Sequence, residues 1–305
     1  MDPLIVLFGL GVGILVGLTG MGGGSLMTPI LILVFGFKPV TAVGTDLAYG
    51  AVTKTVGGWK HFRQRTVHFP LSMWMGVGSV PAAVGGVYVL HVLERKYGHT
   101  FDNALLVAVA AALMFTGLAV LARALFLPKL VQRERHDFEL TRRDKIAAIV
   151  LGVCVGFVLG ATSAGSGSLI AVGLIMIFRL VPTRVVGTDV FHAAVLLWAA
   201  AIAHVVAGNV DFGLAGTILL GSVPGVWLGS HWSVRLPVTT LRLGLGVVMI
   251  GAALGLLSKA GAGIPAAAIA AAPVLLALIV AWQQFGWRPR RVRRLDAAAL
   301  SPADE

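Results

Sequence analysis

Two short runs rich in glycine and hydroxyl side chains contain the residues best suited to bind a ligand. The first run covers residues 19–25, and the second covers residues 162–168. Glycine at this density weakens a helix and allows another group to approach the main chain closely. Ser25, which ends the first run, is a good N-cap for the apolar segment 26–37. Each run therefore predicts a break between two helices, with backbone N–H groups exposed at the break.

The chemistry predicted for these breaks is the binding of a small anion. A helix N-terminus presents free N–H groups and the positive end of the helix dipole, and hydroxyl groups add donors without adding charge. The predicted binding residues in the two runs are Thr19, Gly22, Gly23, Gly24, Ser25, Thr162, Ser163, Gly165, Ser166, Gly167 and Ser168. The alternative is that these small residues serve close helix packing in a membrane. The presence of two copies favours the binding site.

Two aspartates end identical tetrapeptides, Val-Gly-Thr-Asp, at positions Asp46 and Asp189. An acidic residue within an apolar segment is costly and points to function. Beside an anion site, a carboxylate is better suited to carry a proton than to bind the substrate, so we predict a coupling role. The neighbouring hydroxyls of Thr45 and Thr188 are further predicted donors to the substrate. The alternative is that both aspartates are hydrated residues that interact with the helix dipole at a helix start.

Lys54 and His192 are the remaining polar residues assigned to the site. Lys54 follows Asp46 by eight residues, and we predict that it neutralises an aspartate or attracts the substrate. Alternatively, its long side chain extends to the membrane surface beside Lys60. His192 is predicted to hydrogen-bond the substrate or Asp189, and we place it with the aspartates in the coupling group.

The composition predicts a polytopic membrane protein. Hydrophobic residues make up 57% of the 305-residue chain and charged residues only 12%, which is too apolar for a soluble domain of this length. The net charge of +11 comes from residues in connecting loops and the tail, as is typical of orientation charges in membranes, so we expect no nucleic-acid partner. The single cysteine, Cys154, forms no intrachain disulfide, and we predict that it is a small packing residue.

The second half of the chain repeats the first at a constant distance of 143 residues. The matched positions include Pro39 and Pro182, Asp46 and Asp189, His61 and His204, and the Gly-Ser-Val-Pro motifs at 78–81 and 221–224. These motifs are predicted to be kink and packing elements. Tyr49 and Lys54 are matched by His192 and Leu197. We predict a first repeat at 1–127, a linker at 128–145, a second repeat at 146–258, an extra helix at 259–287 and a tail at 288–305.

The charges of two matched loops predict that the repeats have inverted topology. The loop at 60–65 contains Lys60, Arg63 and Arg65, whereas the matched loop at 204–211 contains neither Lys nor Arg. Since positive loops face the cytoplasm, the two loops are expected on opposite sides of the membrane. This arrangement places the N-terminus outside and the basic tail in the cytoplasm. The loop histidines, His61 and His204, are predicted to lie at the membrane boundary.

Four short apolar segments flank the glycine-rich runs, at 4–18, 26–37, 146–159 and 169–180. A spanning helix needs about 20 apolar residues, so we predict that these segments form two re-entrant hairpins whose tips meet inside the membrane. Seven full spans then remain. The predicted fold is an all-α polytopic membrane protein with two inverted repeats, and eleven spans are the alternative.

Two apparent signs of an enzyme do not withstand inspection. Residues 22–25 lack the Gly-Lys-Ser/Thr ending of a nucleotide P-loop, and no His, Glu and Cys residues have metal-ligand spacing. We therefore expect no catalytic activity, no metal and no cofactor.

The glycine-rich run at 19–25, the Val-Gly-Thr-Asp motifs at 43–46 and 186–189, Thr53-Lys54-Thr55 and Gly-Ser-Val-Pro-Gly at 221–225 resemble the sulfite exporter TauE/SafE family of bacterial membrane permeases. The resemblance covers the chain to about residue 257. It implies a multi-pass protein of the bacterial inner membrane that transports small sulfur-containing anions such as sulfite, sulfoacetate or related sulfonates.

Together these features predict a secondary transporter that moves a small sulfur oxyanion by alternating access between two inverted halves. The expected partners are the anion, the lipid bilayer and protons as the coupling ion, and a homo-oligomer is compatible with the sequence. A passive anion channel is the first alternative, because the same anion site could serve one. A permease for another small organic anion is the second.

Overall fold

The structure, a computed structural model, describes residues 3–19, 24–130, 139–232 and 238–286. Within these ranges the regular elements are eleven α-helices. They are α1 Pro3–Thr19, α2 Gly24–Leu33, α3 Pro39–Arg63, α4 Phe69–Tyr97, α5 His99–Leu130, α6 Arg142–Thr162, α7 Leu169–Met176, α8 Pro182–Val206, α9 Phe212–Trp232, α10 Val238–Lys259 and α11 Ala266–Gly286.

Within the described residues, five helices contain a stretch that is long and apolar enough to cross a membrane. These stretches are Phe69–Tyr97, Thr100–Ala122, Arg142–Thr162, Pro182–Val206 and Phe212–Gly229. The described parts of α1, α10 and α11 are shorter apolar helices. The all-helical, multi-pass prediction is confirmed in this general form, while the number and direction of the crossings stay predictions.

Helix α6 is longer than the short hairpin arm predicted at 146–159. It has 21 residues, a length of about 31 Å at 1.5 Å per residue, which is enough to cross the hydrocarbon core. Its start is fixed by a capping box in which Thr141 and Asp144 satisfy each other's backbone N–H groups. The last basic residues of the predicted linker, Arg142, Arg143 and Lys145, therefore belong to this helix.

The long helices pack in pairs that are exchanged when 143 is added to or subtracted from the residue numbers. Helix α1 packs along α9, and the matched helices α6 and α4 pack along each other. Helix α3 packs against its own counterpart α8, and α5 packs against α10. Backbone geometry follows the same register: Arg65 and the matched Gly208 both have positive φ angles, of 55° and 76°.

Glycines bring the paired helices into backbone contact. A Cβ atom on Gly13 of α1 would lie 2.4 Å from the carbonyl oxygen of Ser222 on α9. At the matched crossing, a Cβ atom on Gly156 of α6 would lie 2.3 Å from the carbonyl oxygen of Ser79 on α4. Only glycine fits at either position, as in other close helix crossings in membranes. The packing role predicted for the Gly-Ser-Val-Pro motifs agrees with these contacts.

The two short helices are buried between the long ones. Helix α2 contributes Leu31 and Ile32 to a cluster that includes Leu47 of α3 and Leu113 of α5. Helix α7 contributes Ile170 and Leu174 to a second cluster with Leu71 of α4 and Val185 of α8. The break that precedes α7 therefore lies next to protein, which is where irregular backbone is tolerated in a membrane, and the segment before α2 lies outside the described residues.

Cys154 does not have the packing role predicted for it. The side chain is exposed on the surface of α6, in a stretch that is apolar and long enough to span. The small-residue contacts of this helix are made instead by the neighbouring glycines Gly152 and Gly156.

Candidate functional site

The second glycine-rich run unwinds the chain between α6 and α7. Ser163 has the left-handed conformation with φ 57° and ψ −10°, and Gly165 and Gly167 have φ angles of 100° and 103°. Ala164 and Ser166, which alternate with these three residues, do not have positive φ angles, and Ser168 has a φ angle of −110°. Alternation of left- and right-handed residues is typical of a nest, in which successive N–H groups turn towards one side. We refer to residues 163–168 as the nest, and anion binding by it stays a prediction.

Two serines of this loop have hydroxyl groups available for a ligand. Ser166 and Ser168 are more than nine-tenths buried, and their side chains make no hydrogen bond to any residue that the structure describes. Ser168 has the N-cap position of α7 but makes no side-chain cap bond. Thr162 differs, since its hydroxyl donates to the carbonyl of Val158 at 2.7 Å. Thr162 therefore closes the end of α6.

The first glycine-rich run lies largely outside the described residues. Gly22 and Gly23 are in the undescribed segment 20–23, and the structure describes the side chains of neither Thr19 nor Ser25. Helix α2 begins at Gly24, so Ser25 is inside the helix. The prediction that Ser25 is the N-cap is therefore wrong. Binding by this run stays a prediction.

Asp46 lies in a cluster of three oxygen atoms from three different elements. Its Oδ2 lies within hydrogen-bond distance of Thr28 Oγ1 of α2, at 2.6 Å, and of Ser163 Oγ, at 2.8 Å. The two hydroxyl oxygens are also 2.6 Å from each other. Asp46 is 1% exposed, and its Oδ1 has no hydrogen-bond partner among the described residues. The hydrated helix-start alternative is therefore wrong for Asp46.

Thr28 was missed by the sequence analysis. A signal for it was present in the sequence, because Thr28 is a polar residue within the apolar segment 26–37. Its partner could not be found in this way, because Ser163 is 135 residues further along the chain.

Thr45 and Thr188 hold helix starts in the structure. Thr45 Oγ1 accepts the N–H of Asp211 at 3.0 Å, and Asp211 in turn caps α9 by accepting the N–H of Leu214. In the matched arrangement, Thr188 Oγ1 accepts the N–H of His68 at 2.8 Å, immediately before α4. Both hydroxyls are thus used between the halves, and a direct bond from either one to the substrate stays a prediction.

Lys54 is buried beside the second aspartate. The side chain is 5% exposed, so the alternative in which it extends to the membrane surface is wrong. Its Nζ makes no hydrogen bond within the described part of the chain, and the charge of Asp189 acts on it. The matched residue on α8, Leu197, packs against Gly50 of α3. Among the described residues, Asp189 therefore has a lysine near it, and no lysine is bonded to Asp46.

His192 is bonded to serines rather than to an aspartate in the described hydrogen bonds. Its Nε2 is 3.1 Å from Ser79 Oγ, and its Nδ1 is 3.4 Å from Ser72 Oγ. In the other half, Tyr49 has the matched position and lies beside Ser222. The serine of the first Gly-Ser-Val-Pro motif is thus a polar partner of α8, which the sequence did not predict, whereas the hydroxyl groups of Ser222 and Tyr49 make no hydrogen bond within the described part of the chain.

His204 is completely buried, in contrast to its predicted boundary position. Its Nε2 lies 3.0 Å from the carbonyl oxygen of Gly160 near the end of α6, and its Nδ1 lies 3.5 Å from Asn209 Nδ2. The matched His61 is only partly buried and lies 3.0 Å from Thr66 Oγ1. The sequence did not distinguish the two, because burial depends on what packs over each loop.

Comparison with known proteins identifies the family of this chain. The model of the family described as sulfite exporter TauE/SafE matches residues 5–256. The chain belongs to the TauE/SafE family. The match confirms the resemblance inferred from the motifs, and it includes the helix break at 162–168, both aspartates and Lys54.

Relatives of this TauE/SafE chain are named as probable membrane transporter proteins. YjnA of Bacillus subtilis is 38% identical over 257 residues, which cover 84% of this chain and all of the relative. YdhB of the same organism is 27% identical over 78% of this chain and 93% of its own length. A relative from Xylella fastidiosa is 26% identical over 87% and 99% of the two chains. No solved structure matches this chain.

The family and its named relatives establish the general activity of the chain. It is a membrane permease and not an enzyme. The helix break, the nest and the buried polar residues around Asp46 and Lys54 are therefore features of a membrane permease.

Proposed function

We propose that this protein is a secondary transporter that moves a small sulfur oxyanion, sulfite or an organosulfonate, across the bacterial inner membrane. The observation that carries the proposal is the nest between α6 and α7, with alternating φ signs from Ser163 to Ser168. A nest, two buried serine hydroxyls and the N-terminus of α7 together offer many hydrogen-bond donors and partial positive charge to an oxyanion. The family description supports sulfite as the first anion to test.

We further propose that transport occurs by alternating access between two inverted halves. The proposal is supported by the constant 143-residue offset between the two halves. It is also supported by the packing of α1 against α9, which is equivalent at this offset to the packing of α6 against α4. In transporters built from inverted repeats, substrate sites lie at the repeat interface near broken helices. The break before α7 is adjacent to Asp46 of the other half through Ser163, which fits such an interface.

The test is uptake of labelled sulfite by liposomes that contain the purified protein. We expect saturable uptake that responds to a pH gradient. Gly165→Ala should reduce it at least tenfold, because the new Cβ would lie 2.5 Å from Leu169 and the φ angle of 100° disfavours alanine. Ser168→Ala should weaken uptake through loss of one donor. Gly76→Ala is the matched control, since a Cβ there has no neighbour within 4 Å.

Three outcomes would contradict this proposal. Equal uptake by Gly165→Ala and Gly76→Ala would remove the nest from the substrate site. Currents far above transporter turnover, without saturation or gradient coupling, would indicate a passive channel. Saturable uptake of other organic anions but no sulfite or sulfonate would indicate a permease with a different substrate.

A further inference from the structure

The three oxygen atoms around Asp46 lack one hydrogen if its carboxyl group is ionised. They make three mutual contacts, at 2.6, 2.6 and 2.8 Å. A hydroxyl group supplies one hydrogen, and an ionised carboxylate supplies none. Thr28 and Ser163 therefore provide two hydrogens for three contacts. The third pair of oxygens would face each other with lone pairs only.

A proton on Asp46 completes the set. The carboxyl group donates to Thr28, Thr28 donates to Ser163, and Ser163 donates to Asp46 Oδ2, so that each contact contains one hydrogen. Because Asp46 is 1% exposed, an ionised carboxylate there would also carry a large desolvation cost. Geometry and burial thus favour the same state.

The second aspartate has different surroundings. At the positions matched to Thr28 and Ser163, the other half has Ala171 and Gly20, neither of which has a side-chain hydroxyl. Asp189 instead has Lys54 near it, whereas the position matched to Lys54 is Leu197. One buried acid thus has a lysine near it, and the other has no cation bonded to it among the described residues.

Other titratable groups do not supply a positive charge to Asp46. Its charge acts on Tyr49, less than one turn further along α3. Helix α2 has no titratable side chain. The charged and titratable residues on the helices packed against α3 and α2 include Arg184, Asp189, His192 and His204 on α8, Asp211 and His231 at the ends of α9, Asp102 on α5 and Lys259 on α10. None of these is bonded to Asp46.

We infer that Asp46 holds an exchangeable proton that binds together with the transported anion. The coupling rests on the proposed function, in which the loop at 163–168 binds the anion. Ser163 links the two sites, because it belongs both to this loop and to the cluster around Asp46. An ionised Asp46 next to this loop repels an anion, and its protonation removes that repulsion. By linkage, the anion strengthens proton binding by the same factor that the proton strengthens anion binding, about 5- to 150-fold for typical couplings. Asp189 is not given this role, because the charge of Lys54 acts on it.

The first experiment needs no transport. Infrared spectra of the purified full chain in lipid nanodiscs should show a protonated-carboxyl C=O band at neutral pH that is lost as the pH is raised. We expect Asp46→Asn to remove the band. Lys54→Leu/Asp189→Asn, which takes out the other buried acid with its cation, should retain it. Thr28→Val, which removes one of the three hydrogens, should alter the pH at which the band is lost.

Two results with Asp46→Asn and the double variant would overturn the proton assignment. One is a band that persists in Asp46→Asn or that disappears in the double variant. The other is a sodium-dependent rise in thermal stability, absent in potassium and lost in Asp46→Asn, which would make the three oxygens a cation site. Thr28→Val keeps the assignment testable if Asp46→Asn fails to fold, because an unchanged titration in Thr28→Val would also contradict it.

The second experiment tests the coupling. An alkylsulfonate stays ionised, so any proton taken up when it binds in weakly buffered solution is taken up by the protein. We expect uptake of up to one proton per chain in the wild type at high pH and none in Asp46→Asn. Sulfonate binding without proton uptake would overturn the coupling, whereas a failure to bind any sulfonate would count against the proposed function. The infrared result distinguishes these two failures.

Discussion

Individual residues illustrate how one position can serve either the substrate or the scaffold. Thr45 and Thr188 were predicted as substrate donors because each precedes an aspartate in a repeated motif. In the structure each hydroxyl accepts a backbone N–H at the start of a helix in the other half. The sequence identified the correct residues as polar and paired, but their partners are more than 100 residues away and could not be inferred from spacing.

Replacing Thr45 by valine should reduce stability more than it reduces substrate affinity. The substitution leaves the N–H of Asp211 without its buried acceptor, at a cost of about 1–3 kcal/mol. Thr45→Ser retains the hydroxyl and should behave nearly as the wild type. Thermal unfolding in detergent measures the first effect, and the KM for uptake measures the second. A large rise in KM without a loss of stability would instead support direct substrate contact.

Lys54 and Asp189 should show strong coupling in a double-mutant cycle. The charge of Asp189 acts on the buried Lys54, and removing one of two opposite buried charges leaves the other uncompensated, which costs up to about 3–5 kcal/mol where the two form a salt bridge. Lys54→Leu should therefore be strongly destabilising by itself, and Lys54→Leu/Asp189→Asn should recover most of the loss. Unfolding midpoints of the four proteins provide the measurement. Additive losses would indicate that the two side chains do not interact.

At the scale of elements, the sequence predicted the helix breaks better than the helix ends. The glycine-rich run at 162–168 does interrupt two helices, and the positive φ angles of Gly165 and Gly167 explain why glycine is needed there. The start of α6 was misplaced because its first turn contains three basic residues, and a prediction based on hydropathy does not include such residues in an apolar helix. The capping box of Thr141 and Asp144 was the local signal for the true start.

Glycines on one helix should respond differently to alanine according to the face on which they lie. A Cβ on Gly13 of α1 would meet the main chain of Ser222, whereas a Cβ on Gly11 has no neighbour within 4 Å. Gly13→Ala should separate α1 from α9 at a cost of about 1–3 kcal/mol. Gly11→Ala should be neutral or stabilise the helix by up to about 1 kcal/mol. Equal unfolding temperatures for the two variants would contradict the crossing seen in the structure.

At the scale of the whole molecule, the sequence predicted an all-helical membrane protein and its family. The helix pairs follow the 143-residue repeat. The chemical difference between the halves was only partly predictable. Lys54 and its counterpart Leu197 showed that the halves differ, but the hydroxyl partners of Asp46 come from α2 and from the loop before α7. Such a cluster forms only when the helices pack, so no pattern within one segment could indicate it.

The inverted arrangement predicts that two matched loops are reached from opposite sides of the membrane. Gln64 follows α3 and Ala207 follows α8, at positions 143 residues apart. The background for the test is Cys154→Ser, which should be tolerated because Cys154 is exposed on α6. In intact cells, an impermeant maleimide should label Ala207→Cys, whereas Gln64→Cys should react only after permeabilisation, because its loop carries the basic residues that stay in the cytoplasm. Labelling after denaturation controls for expression and for burial of either thiol. If both cysteines react from the same side, the halves have parallel topology, and alternating access by inverted repeats would have to be abandoned.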